Sequence, residues 1–222
     1  MRRCLILPVL LLACNYVAKD AAPEPSNIKV IDLQNGLGTV SISLPVRYDT
    51  TFAWIHYSDC GRPCEKRKYR FQPKALPIFQ ENGYRPKLLN DSMEQFTIVH
   101  NPYIPPGDID NPDNQQFISL FHDHKKYDIT HNPEIRVIRS DTIEKIGDRY
   151  FSIIVIDKYD TAKAQYSKKL LSTTTIRKGT IDFNFELLTK QKGSATENFI
   201  DNAKYYLRTI RIKSDNKLNL YN

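Results

Sequence analysis

The residues of this chain whose types and spacing could do chemistry are a cysteine pair, three histidines and a dense basic run. Cys60 and Cys64 sit in Ser58-Asp59-Cys60-Gly61-Arg62-Pro63-Cys64, a stretch rich in turn formers. As a disulfide they close a loop of five residues, which chain-entropy arguments value at about 2 kcal/mol. As a redox pair or copper site they need exposure and a depressed thiol pKa, which Arg62, Lys66, Arg67 and Lys68 would favour. His122-Asp123-His124, followed by Asp128 and His131, offers imidazoles and carboxylates, the ligand types of zinc and copper. The candidate metal ligands are therefore His122, His124 and His131, although a solvated polar segment has the same composition and no catalytic zinc spacing is matched. Asp108, Asp110 and Asp113 lack the central glycine and closing glutamate of a calcium loop, and read as a turn-rich segment. Lys66-Arg67-Lys68-Tyr69-Arg70 places charge on both faces of a strand. That pattern predicts a protected edge strand, or a basic surface of Lys66, Arg67, Lys68 and Arg70 that meets a headgroup or glycan. No Ser-His-Asp order, nucleotide-binding glycine loop or nucleophile elbow is visible.

These residues need elements to position them. Val40, Ile42 and Leu44 alternate with polar neighbours over Thr39–Leu44, which predicts a strand ended by Pro45. Thr51–Tyr57 and Lys66–Gln72 predict a hairpin around the cysteine loop. Residues 73–134 are irregular, with a short strand at Phe96–Val99 and a short helix at Gln115–His124. Strands are expected at Glu134–Arg139, Arg149–Asp157, Leu171–Arg177 and Thr180–Leu188, the last two forming a hairpin at Lys178-Gly179. Ser194-Ala195-Thr196-Glu197 reads as a capping box that opens a helix to about Leu207, and Arg208–Lys213 as a closing strand. The fold class is α+β, an antiparallel sheet with flanking helices.

The chain has 222 residues, 41% hydrophobic and 11% aromatic, with 13 Tyr and 10 Phe, so a packed core is expected rather than disorder. The formal charge is +7, falling by two if Arg2 and Arg3 are removed. The N-terminus argues that they are. Arg2 and Arg3 precede an apolar run from Leu5 to Ala13, about half the length that crosses a roughly 30 Å hydrocarbon core. Such a run fits a cleaved signal peptide. It ends Leu11-Leu12-Ala13-Cys14, which resembles the lipobox of bacterial lipoproteins. The resemblance implies cleavage before Cys14 and diacylglyceryl transfer to its thiol. It also implies outer-membrane sorting, because Asn15 and not aspartate follows. Two or more acyl chains give stable anchoring, each buried CH₂ contributing about 0.8 kcal/mol. Cys4 leaves with the signal, so Cys60 and Cys64 remain as an even pair in an oxidising compartment, where a disulfide is the expected state.

The organisation follows: residues 1–13 signal peptide, 14–27 lipidated tether, 28–215 one globular domain, 216–222 tail. The start Ile42-Ser43-Leu44-Pro45 and the hairpin–helix–strand order of 171–213 resemble the PsbP/Mog1 superfamily. That resemblance implies an α/β/α sandwich serving as a binding or assembly factor. The Cys-x₃-Cys spacing resembles copper chaperones of the thioredoxin fold, but no βαβ pattern surrounds it and Glu65 replaces the proline of that family. The expected function is a membrane-anchored, non-catalytic envelope module, its partners an envelope protein, a glycan or lipid headgroups, with no nucleic acid and no cofactor. The alternative is a metal-binding or thiol-redox enzyme of the envelope.

Overall fold

The computed structural model describes residues 21–33, 37–57, 65–76, 92–101, 115–132, 138–176 and 179–214. Cys14, Cys60, Cys64, the aspartates of 108–113 and the expected turn at Lys178 lie outside the described residues. Among the described residues the elements follow in the order β1 (Ser26–Asp32), β2 (Thr39–Pro45), β3 (Thr50–His56), β4 (Lys66–Gln72), β5 (Met93–Asn101), α1 (Gln115–His131), β6 (Ser140–Ile146), β7 (Arg149–Asp160), β8 (Gln165–Ile176), β9 (Gly179–Thr189), α2 (Ser194–Glu197), α3 (Phe199–Arg208) and β10 (Arg211–Lys213). Seven strands form one antiparallel sheet in the order β3-β4-β5-β9-β8-β7-β6, and β1-β2-β10 form a second. The α+β class read from sequence holds at this level: antiparallel sheet with a few helices.

Period-two alternation assigns each face of the large sheet. Phe71, Phe96, Ile98, Phe151, Ile153, Val155, Leu170, Phe183 and Phe185 share one side. There they meet Val40, Ile42 and Leu44 of the small sheet and Phe199, Ile200, Ala203 and Leu207 of α3. Phe96 is the centre of the aromatic packing, its ring 4.4 Å from Phe185, 6.0 Å from Phe71 and 6.4 Å from Phe183. The other side carries Ile154 and Ile156, which form a smaller cluster with Ile129 of α1. Helix α1 therefore lies against β7 on the face opposite α3. No helix among the described residues is long and apolar enough to cross a membrane.

Several expectations need correction. β1 begins at Ser26, two residues before the expected domain start, and was hidden because Ile28 and Val30 face outward. Its entry is fastened by Arg47, whose Nε donates to Glu24 at 2.8 Å and whose Nη1 reaches Glu94. Burial, with Glu94 alongside, pushes the Tyr48 phenol up, and it stays a donor to Glu94 at 3.1 Å. Helix α1 runs to His131, seven residues past its expected end, because Ile118, His122 and Ile129 continue its buried stripe. Most of the strand expected at Glu134–Arg139 lies outside the described residues; Ile138 and Arg139 precede β6, the more polar Ser140–Ile146 at the sheet edge, which was not expected. The capping box does not form. The chain enters α2 one residue early, so Ser194 is already helical, Gly193 is the N-cap and its carbonyl accepts from Glu197 N at 2.9 Å. Asn198 separates α2 from α3.

Candidate binding site on the polar sheet face

Strand β4 is not an edge. It pairs with β3 and β5, so β3 forms the edge. Arg67 is buried on the α3 side beside His100, and Arg70 is buried on the opposite side, 2% exposed; Lys68 is half-buried and only Lys66 is exposed. The basic run is thus no continuous surface. Two of its members are built into the sheet, each against a different face.

Register turns these side chains into rows across the large sheet on the α1 side. One row is Phe52, Arg70, Thr97, Asn184, Leu171, Ile154 and Asp141; the next is Trp54, Lys68, Val99, Asp182, Thr173, Ser152 and Ile143. A third holds Gln95, Glu186 and Lys169. The Trp54 ring sits at the outer end, with the Arg70 guanidinium 4.9 Å and the Lys68 ammonium 5.8 Å from its centroid. Each contact is a cation–π attraction, strengthened where water is excluded. Glu186 receives Lys169 Nζ at 2.8 Å and Gln95 Nε2 at 2.7 Å. Burial alone would raise the Glu186 carboxyl, but Lys169, Gln95 and Arg70 together hold it below its usual range.

Between these charged groups lie three neighbours with an unmet need. Gln95 Oε1, Thr97 Oγ and Asn184 Oδ1 are buried without a hydrogen-bond partner. Gln95 and Thr97 are 4% and 5% exposed. Thr97 and Asn184 are register partners, and Gln95 stands one row away. A buried polar atom left unpaired costs about 1–3 kcal/mol, so three together mark a place that water or a polar ligand group would stabilise. Two amide oxygens and a hydroxyl can accept from hydroxyl or amine donors.

A second polar group lies under α1. The imidazole of His122 is 2.9 Å from Ser152 Oγ through Nδ1 and 3.3 Å from Asp141 Oδ1 through Nε2. Lys126 reaches Asp141 at 3.0 Å; its hydrogen bond holds the Asp141 carboxyl below the usual range, against partial burial and with help from His122. Serine, histidine and aspartate are therefore in contact although no order in the sequence announces them. The contact is closed: Ser152 is 1% exposed beneath the helix, and a catalytic serine must reach a substrate carbonyl. These side chains fasten α1 to β6 and β7. Beside them, Lys125 donates to Thr173 at 2.8 Å, and Asp182 accepts from Thr173 and from Asn101 at 2.9 Å.

The other two candidate ligands point elsewhere. Along a helix, residues two and nine after His122 are turned by about half a turn. His124 is exposed and pairs with Asp128 at 3.2 Å. His131 stacks on Tyr127 with ring centroids 3.9 Å apart. Helical geometry keeps His122 from converging with His124 and His131, and no group of three His, Cys, Asp or Glu among the described residues could hold a metal ion. The sequence shows the histidines and a helix as far as His124, but not its continuation to His131.

Buried charge has a further consequence on the α3 side. Burial, then the neighbouring Arg67, pushes the His100 imidazole down to about 4.

No protein-family profile and no curated protein matches this chain. Among solved structures, it is similar to a protein of Bacteroides thetaiotaomicron VPI-5482, with 13% identity and a TM-score of 0.36, over 80% of this chain and 46% of that one. It spans about half the length of that protein. It is also similar to a point mutant of Mog1, with 10% identity and a TM-score of 0.36, over 84% of this chain and 96% of that one.

Proposed function

We propose that this chain is an exported lipoprotein of the bacterial envelope, anchored through Cys14, whose domain is a non-catalytic binding or assembly module. The observation that carries the reading is the run Leu5–Ala13 closing in Leu11-Leu12-Ala13-Cys14. The domain chemistry supports the second half. The one Ser-His-Asp contact described above is sealed beneath α1, and the unpaired oxygens of Gln95, Thr97 and Asn184, buried on the same side of the sheet, are ones that a polar ligand group would satisfy. The ligand in this reading is a polar envelope component, a glycan or a protein segment, held on the α1 side of the large sheet. The finer architecture we propose is the layered sandwich of the PsbP/Mog1 superfamily, supported by the hairpin–helix–strand order of β8, β9, α3 and β10. Outer-membrane placement belongs to the same proposal.

The test is the intact mass and thiol count of the protein extracted from membranes in detergent. The expected species is residues 14–222 plus acyl lipid, with two hydrogens lost to a Cys60–Cys64 bond. A mass without lipid overturns the anchored reading. Free, reactive thiols at Cys60 and Cys64 would instead favour the redox enzyme.

A further inference from the structure

The lipoprotein reading puts an anchor twelve positions before β1, and β1 has an unusual outer face. Ile28 and Val30 are 73% and 69% exposed on the edge strand of the small sheet. They lie opposite Ser43 and Ser41, so these four side chains share the face turned away from the core. Arg211 and Lys213 of β10 lie opposite Ser41 and Thr39, which brings two exposed cations to that same face; Asp32 shares the row of Lys213. Next to the sheet a groove of about 580 Å³ runs along the C-terminal end of α3, lined by Ile28, Ser43, Tyr205, Thr209 and Arg211 among others. Apolar residues flanked by cations and hydroxyls are the composition of a surface that sits at the headgroup boundary of a bilayer.

Chain length selects the occupant. Twelve residues reach at most about 40 Å, and they lead directly into β1. An anchor at Cys14 therefore keeps the start of β1, the first described strand after it, within that reach of lipid. We propose that the outer face of β1-β2-β10 rests on an anionic membrane surface. Ile28 and Val30 enter the interface, Arg211 and Lys213 meet the headgroups, and the polar sheet face under α1 is directed away from the bilayer. The proposal rests on the lipoprotein reading.

The experiment uses the mature lipidated protein in vesicles of phosphatidylethanolamine and phosphatidylglycerol. Val30→Cys and Leu120→Cys are labelled with a polarity-sensitive thiol dye, and the wild type treated alike serves as blank for Cys60 and Cys64. Leu120 is also well exposed but lies on α1, across the large sheet. The expected result is a blue-shifted label at position 30, quenched by nitroxide lipids several-fold more than the label at 120. Arg211→Glu with Lys213→Glu should reduce that difference, and an unchanged difference would overturn the anionic part. Equal quenching at both positions in protein whose mass includes lipid overturns the docking while the anchor stands. A blue shift without lipid quenching means that protein covers the face, and it too overturns the docking. A mass without lipid removes the anchor itself and the proposal with it.

Discussion

At the scale of single residues, burial decides what the ionisable and polar groups do. His100 is held neutral to about pH 4, whereas an unfolded histidine titrates near 6.5. Between those values the unfolded chain binds the extra proton, so stability is complete above pH 6.5 and declines as pH falls toward 4. The loss should be at most about 3 kcal/mol over the window, at about 1.4 kcal/mol per pH unit. Urea unfolding from pH 7 to 4.5 should show this slope, and His100→Phe should flatten most of it; an equal slope in the variant would contradict the assignment. Thr97 makes the complementary case. Its hydroxyl is buried without a partner, so Thr97→Val should leave the ligand-free protein unchanged or raise its stability by about 1 kcal/mol. A loss of 1 kcal/mol or more in chemical denaturation would mean that the hydroxyl is already satisfied.

At the scale of elements, backbone geometry makes demands that side-chain patterning does not reveal. Gly38, just before β2, has φ +106°, and a Cβ there would stand 2.0 Å from the carbonyl oxygen of Lys213. Gly38→Ala should force β10 away from β2 and cost about 2–4 kcal/mol. Gly147 also has a positive φ, +65°, but its Cβ would meet open space. Gly147→Ala should therefore cost only about 1 kcal/mol, and similar urea midpoints for the two variants would refute the contrast. The strands legible in the sequence include β2 and β9, whose alternation matches one buried face, and β3, β4, β7 and β8, which their β-branched and aromatic residues between turn formers announce. β6 escaped because an edge strand does not need an apolar face, and β1 because its alternating Ile28 and Val30 point outward. The polar side of the large sheet was illegible for a related reason. Gln95, Thr97, Asn184 and Glu186 look like solvent-facing positions of two ordinary strands until register places them in adjoining rows.

At the scale of the whole molecule, attachment and orientation are the testable quantities. If Cys14 carries the anchor, washing membranes with concentrated salt should leave the protein in the pellet, because acyl chains and not screened charges hold it. Detergent should release it. Cys14→Ala should accumulate as a precursor that retains residues 1–13, seen as a mass increase of the unprocessed segment without lipid. Release of the wild type by salt alone would contradict acyl anchoring.

The sequence by itself determined the α+β class, the strands with strict alternation and the N-terminal signature from which export is proposed. Each is written in local order: a period of two, an apolar run of limited length, a cysteine at its end. Only the tertiary structure decided which charges are buried, that the helix of His122 and His124 continues to His131, and that Ser152, His122 and Asp141 meet under that helix. It alone joined the last strand to the second and left Ile28 and Val30 exposed beside Arg211 and Lys213. The reason is that contact across a sheet depends on register and strand order, which bring together residues as far apart in the chain as Thr39 and Lys213, partners on β2 and β10. Local periodicity carries no record of such partners.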